Sequence, residues 1–166
     1  MHIVKSVLTA AAAMALALPA YAGLTGDTVG TRYVGLNDTG VQFSVVGAGV
    51  EGNFFSNQFY DYGDMSFSIQ STGDFCGVWS CSGPIALELS SLDIGGPINS
   101  VTFSTNLAGV IESHTADSIT FSWSEQPITA GMYLEAQINA VPEPETYVLM
   151  MAGLAAIAAV RRRVRN

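Results

Sequence analysis

The central part of this 166-residue chain contains no lysine, and Arg32 is its one basic residue. The other cations sit at the ends: Lys5 near the start, and Arg161, Arg162, Arg163 and Arg165 at the finish. All 14 acidic residues lie between them, and only Glu143 and Glu145 of these fall beyond residue 140. Nucleic-acid binding requires clustered Lys and Arg against phosphate, so this composition excludes it. Anionic membrane surfaces and acidic polymers are poor partners as well, whereas an acidic surface keeps an exported protein soluble. Catalytic signatures are also missing. There is no G-x-S-x-G, no H-E-x-x-H, no P-loop and no dinucleotide fingerprint. His114 is the only histidine outside the first few residues. Ser113, His114 and Asp117 are too close in sequence to supply a triad, which is a spatial object. No enzyme activity and no catalytic residue are expected.

Cysteine is scarce, with two residues, Cys76 and Cys81. In an oxidising compartment so close a pair is expected to form a disulfide across a small loop. Four intervening residues do not make a redox CxxC, and one histidine leaves zinc short of ligands. No cofactor is expected. Calcium is the one metal with a candidate site, at Asp61 and Asp64 with Asn57 and Asp74 nearby, because hard oxygen donors suit it. The EF-hand spacing is missing, and aspartates in a turn also cap their own backbone.

Helical periodicity is absent from the central part and strand periodicity pervades it. Val41, Phe43 and Val45 alternate with Gln42 and Ser44; Met65, Phe67 and Ile69 with Ser66 and Ser68; Ile85, Leu87 and Leu89 with Ala86 and Glu88. The same holds for Val101 and Phe103, for Ile119, Phe121 and Trp123, and for Met132, Leu134, Ala136 and Ile138. A period of two marks strands with one buried and one wet face. Further strands are expected at residues 33–34, 53–60, 75–79 and 110–112. Turn signals such as Asn37-Asp38-Thr39-Gly40 and Gly95-Gly96-Pro97 separate them. The expected fold is all-β, an antiparallel β-sandwich or jelly-roll-like body over residues 23–140.

The wet faces are rich in Ser, Thr, Asn and Gln. Such a face, with aromatic rings for sugars to stack on, is what a carbohydrate-binding module offers. Tyr60, Tyr62, Trp79 and Tyr133 are the candidate rings. A glycan hydrolase is a weaker alternative, since nothing in spacing singles out a pair of carboxylates.

The ends are addresses. Residues 7–18 form a short Ala/Leu-rich run after Lys5, followed by Pro19 and Ala20-Tyr21-Ala22. This is the pattern of a signal peptide over 1–22, cleaved between Ala22 and Gly23, which implies the Sec translocon and signal peptidase as partners. At the other end, Pro142-Glu143-Pro144 lies in a linker at 141–146. An uncharged run at 147–160 follows, then a basic stop at 161–166 holding Arg161, Arg162, Arg163 and Arg165. The run is expected to be a transmembrane helix in the inner membrane with its arginines in the cytoplasm. At 1.5 Å per residue, though, it spans only about 21 Å of a roughly 30 Å hydrocarbon layer.

Val141-Pro142-Glu143-Pro144, the apolar segment and the arginine cluster together resemble the PEP-CTERM sorting signal of Gram-negative bacteria. The resemblance covers residues 141–165. It implies an exosortase as the enzyme that reads Pro142, Glu143 and Pro144 and removes the tail. It also implies an anchored precursor followed by delivery to the cell surface or extracellular matrix, in hosts that make exopolysaccharide.

Overall fold

The computed structural model describes residues 23–34, 38–74, 85–141 and 144–165. They fall into two units, a β body up to Val141 and a C-terminal helix. The expected signal peptide over residues 1–22 and its helix, the strand expected at 75–79, Cys76, Trp79 and Cys81, and Pro142 and Glu143 lie outside the described residues.

The body's strands are β1 (Thr28–Val34), β2 (Gln42–Val45), β3 (Gly52–Phe54), β4 (Gln58–Gly63), β5 (Ser66–Ser71), β6 (Ile85–Ser90), β7 (Ile98–Thr105), β8 (Ile111–His114), β9 (Ile119–Trp123) and β10 (Tyr133–Ala140). They form two five-stranded sheets, ordered β2-β1-β6-β9-β8 and β3-β4-β5-β10-β7. All pairings are antiparallel. The fold is therefore mostly β, as the alternation requires.

Inward positions of both sheets join one hydrophobic cluster. Val29, Leu87, Leu89, Ile119 and Phe121 come from the first sheet, and Phe54, Tyr60, Tyr62, Phe67, Leu134 and Ile138 from the second. Each large side chain so buried contributes about 1.5–3 kcal/mol. Contacts run between the sheets. The Thr31 hydroxyl meets the Tyr62 hydroxyl at 2.9 Å. The rings of Phe103 and Phe121 pack edge to face, centroids 5.5 Å apart, and Tyr33 and Phe54 lie 5.7 Å apart.

Strand β2 turns its expected faces inside out. Val41, Phe43 and Val45 are exposed, Phe43 at 66%, while Gln42 and Ser44 are half-buried. Two local demands explain the inversion. The Tyr60 hydroxyl, deep in the body, lies 3.3 Å from Ser44 Oγ and donates to Gln42 Oε1 at 3.4 Å. On the outer face Phe43 stands opposite Gly30. A Cβ on Gly30 would meet Val41 at 2.9 Å and the Phe43 ring at 3.3 Å, so the two side chains cover the bare glycine.

Residues 53–60, expected as one strand, are a hairpin. The chain reverses at Phe55 and Ser56, whose φ angles of 56° and 64° lie in the left-handed region. That region is costly for a residue with a side chain.

The helix, α1 (Pro144–Arg165), runs for 22 residues. Pro144 opens it, where a missing N–H costs nothing. The expected transmembrane helix is not supported: among the described residues no helix is long and apolar enough to cross a membrane. The reason lies in the sequence. The helix gains its length by taking the arginines into its last turns, so the uncharged part stays at residues 147–160. Much of that part is exposed, including Val148, Leu149, Met151 and Leu154.

Candidate functional site

Two regions carry the residues singled out from sequence, the tail and the second sheet. In the tail, Pro144 falls inside α1, so one of the three motif residues starts the helix. Arg161 to Arg165 continue it, and Arg161 is exposed.

In the second sheet, β4 alternates Gln58, Tyr60 and Tyr62 inward with Phe59, Asp61 and Gly63 outward. Tyr60 and Tyr62 are each 1% exposed. This corrects their assignment as ligand-stacking rings. Their faces pack on the core, with Tyr62 4.9 Å from Phe67 and Tyr60 5.1 Å from Phe54. Asp61 between them holds the signal, since a carboxylate kept near water puts its neighbours inside. Burial pushes the Tyr62 phenol well above its ordinary pKa. Tyr133 remains half-exposed on the outer face, its hydroxyl 3.4 Å from Ser104 Oγ. It shares a cross-strand row with Gln70 and Phe59. The next row holds Asp61, Ser68, Glu135 and Ser104. A polar sheet face flanked by two rings results.

The candidate calcium residues are not brought together. Asp61 lies on β4; loss of solvent, and secondarily the nearby Glu51 charge, raise its pKa. Asp64 is in the β4–β5 turn, where its carboxylate accepts from the Thr25 hydroxyl and lies against Gly23. Asn57 and Asp74 stand at the other end of β4, roughly 20 Å away along an extended strand. There Asn57 donates to the Asp74 carbonyl, and the Asp74 carboxylate accepts from the Ala130 N–H. Among the described residues no group of three or more His, Cys, Asp or Glu is placed to hold a metal. His114 pairs with Glu112 at 2.8 Å rather than with Asp117.

Arg32 spends its guanidinium on two acids, Asp38 at 2.5 Å and Glu88 at 3.2 Å. Hydrogen bonds from Arg32, then from the Gly40 N–H, hold the Asp38 carboxyl down at about 2.

One feature had no sequence signal. A cavity of about 20 Å³ opens at the end of the body where β4 and β10 begin and β5 and β9 finish. Gln58, Trp123, Ser71, Ile69, Met132 and Tyr133 are among its walls. Gln58 is 3% and Trp123 5% exposed. Gln58 Nε2 and Trp123 Nε1 are buried donors with no well-formed hydrogen bond. The Gln58 amide does lie close enough to the Tyr33 hydroxyl to oppose the rise that burial gives that phenol. With Tyr33 and Leu107 also lining it, the walls come from five strands and two loops, so no local spacing announces them.

Compared with known families, residues 140–163 match the PEP-CTERM protein-sorting motif. No curated protein and no solved structure matches the chain. The C-terminal tail thus carries a PEP-CTERM sorting signal, which marks an exported protein with an exosortase as its processing partner.

Proposed function

We propose that the chain is an exosortase-sorted protein whose β body serves at the cell surface or in the extracellular matrix, associated with exopolysaccharide, without catalysing a reaction. The observation that carries the reading is the sorting motif at residues 140–163. The body fits the role as a β-sandwich, two sheets enclosing one core, with a surface too acidic for nucleic acid or anionic lipid. The precursor is held at the inner membrane by its tail, and the body is released outward when the tail is cut. Glu143→Ala tests this in the native host. The expected result is a full-mass tail on a protein that stays in the membrane fraction, while the wild type appears outside with the tail removed. Normal tail removal in the variant would sink the reading.

A carbohydrate-binding module is the second reading. It is favoured by the outer face of the second sheet, where Phe59 and Tyr133 flank rows of Gln, Ser and carboxylate side chains.

A further inference from the structure

We propose that β2 is a pairing edge for a second copy of this chain, strand lying antiparallel against strand so that two bodies share one continuous sheet. This interface is separate from whatever the body binds.

The edge is open in its backbone. β2 ends the first sheet and pairs with β1 on one side only. Just past it, the Val46 N–H donates to the Asp27 carbonyl at 2.9 Å, and the Val46 carbonyl accepts from the Gly26 N–H at 2.8 Å. Backbone groups along an antiparallel strand alternate in direction, so Gln42 and Ser44 also turn theirs toward the sheet. Those of Val41, Phe43 and Val45 turn away from it, and among the described residues no strand meets them. The side chains of the same three residues are exposed.

Such edges are normally defended by charge, proline or a bulge. The other three edges show defences of this kind. β8 carries Glu112 and His114. β3 directly follows Glu51 and exposes only Asn53. β7 exposes Asn99, Thr102 and Ser104, and its Phe103 leans on Phe121. β2 has no defence, and residues 39–50 around it hold no charged side chain. Two acidic bodies repel where carboxylates face each other, and at this edge they meet without that cost.

The order of residues selects the occupant. A two-fold contact needs a self-complementary patch. Val41-Gln42-Phe43-Ser44-Val45 alternates apolar and polar identically from either end, with Phe43 at the centre. Antiparallel pairing about Phe43 sets it against its own counterpart, Val41 against Val45, and Gln42 against Ser44. Apolar side chains then meet apolar ones on the outer face, and the outward N–H and C=O groups of the three exposed residues satisfy one another. A slip of one residue sets Phe43 against Ser44 and undoes every match. The five residues from Val41 to Val45 are few beside the roughly 20–30 a side of a standard complex, so the pairing depends on concentration.

Sedimentation equilibrium of the full chain in a non-ionic detergent, at rising concentration, is the test. The expected result is a rise from one chain mass to two, favoured by added salt, which screens the repulsion between acidic bodies. Phe43→Glu sets two carboxylates against each other at the centre of the contact and should hold the chain at one mass. Val45→Glu, in the same row, should do the same. Both positions are exposed, so urea midpoints at low concentration should stay at the wild-type value. Mixing Phe43→Glu with Phe43→Lys should recover the two-chain mass, because opposite charges then face each other. A wild type at one mass throughout overturns the proposal and leaves the edge to a strand of another protein. A dimer that survives both glutamates, or that salt dissolves, also overturns it and points to the arginine tail as the contact. A mixture that stays at one mass overturns the pairing about Phe43.

Discussion

Tyr62 brings a phenol into the interior of the body and meets the Thr31 hydroxyl there at 2.9 Å. Tyr62→Phe leaves Thr31 buried with that partner gone. We expect a cost of about 1–3 kcal/mol, read as a lower urea midpoint at neutral pH. The same residue governs alkaline behaviour. Burial is the main cause raising both Tyr62 and Tyr33 above the ordinary 10.0. The folded protein then keeps protons that the unfolded chain releases, so stability is full below about pH 10 and falls as pH climbs beyond it. Tyr62→Phe removes one of the two groups and should make that decline shallower in unfolding curves taken above pH 10. An unchanged slope would mean that the phenol titrates freely in the fold.

Among the strands, β6 and β2 teach opposite lessons. In β6 the alternation Ile85, Leu87, Leu89 against Ala86, Glu88, Ser90 was legible because Glu88 cannot face the core and the three aliphatics cannot all face water. In β10 Glu135 fixes the outer face in the same way; β5 and β9 carry no charge, and there the alternation of aliphatic and aromatic residues with Ser, Thr and Gln was enough. In β2 no charge anchors either face, so hydrophobicity alone favoured the wrong one. Contacts distant in sequence decided it, with the Tyr60 hydroxyl on the inside and the bare Gly30 on the outside. We expect Leu87→Ala to cost about 2–5 kcal/mol, and Phe43→Ser, on the exposed face, less than about 1 kcal/mol. Equal losses in denaturant titrations would restore Phe43 to the core. The sorting helix was legible as a unit because its apolar run and arginines are contiguous. The cavity was not, because Gln58 and Trp123 are brought together only by the pairing of whole sheets.

Taken as a whole, the chain separates its charges by destination, with the acids in the body and the arginines in the tail. That separation was visible in composition; the role of the body was not, since a period of two describes any half-wet sheet. Arg32, the body's only basic residue, lies within β1, hydrogen-bonded to β2 on one side and β6 on the other and clasped by Asp38 and Glu88. A protease that cuts after lysine and arginine therefore has one target in the folded body, and reaching it means pulling a central strand out of its sheet, an opening whose cost approaches that of global unfolding. Trypsin should trim the arginines from any chain that still carries its tail and leave the body whole. Prompt internal cleavage at Arg32 would show that β1 opens far below the global barrier. If the body survives, an exported protein is nearly invisible to proteases of that specificity, through a shortage of cations.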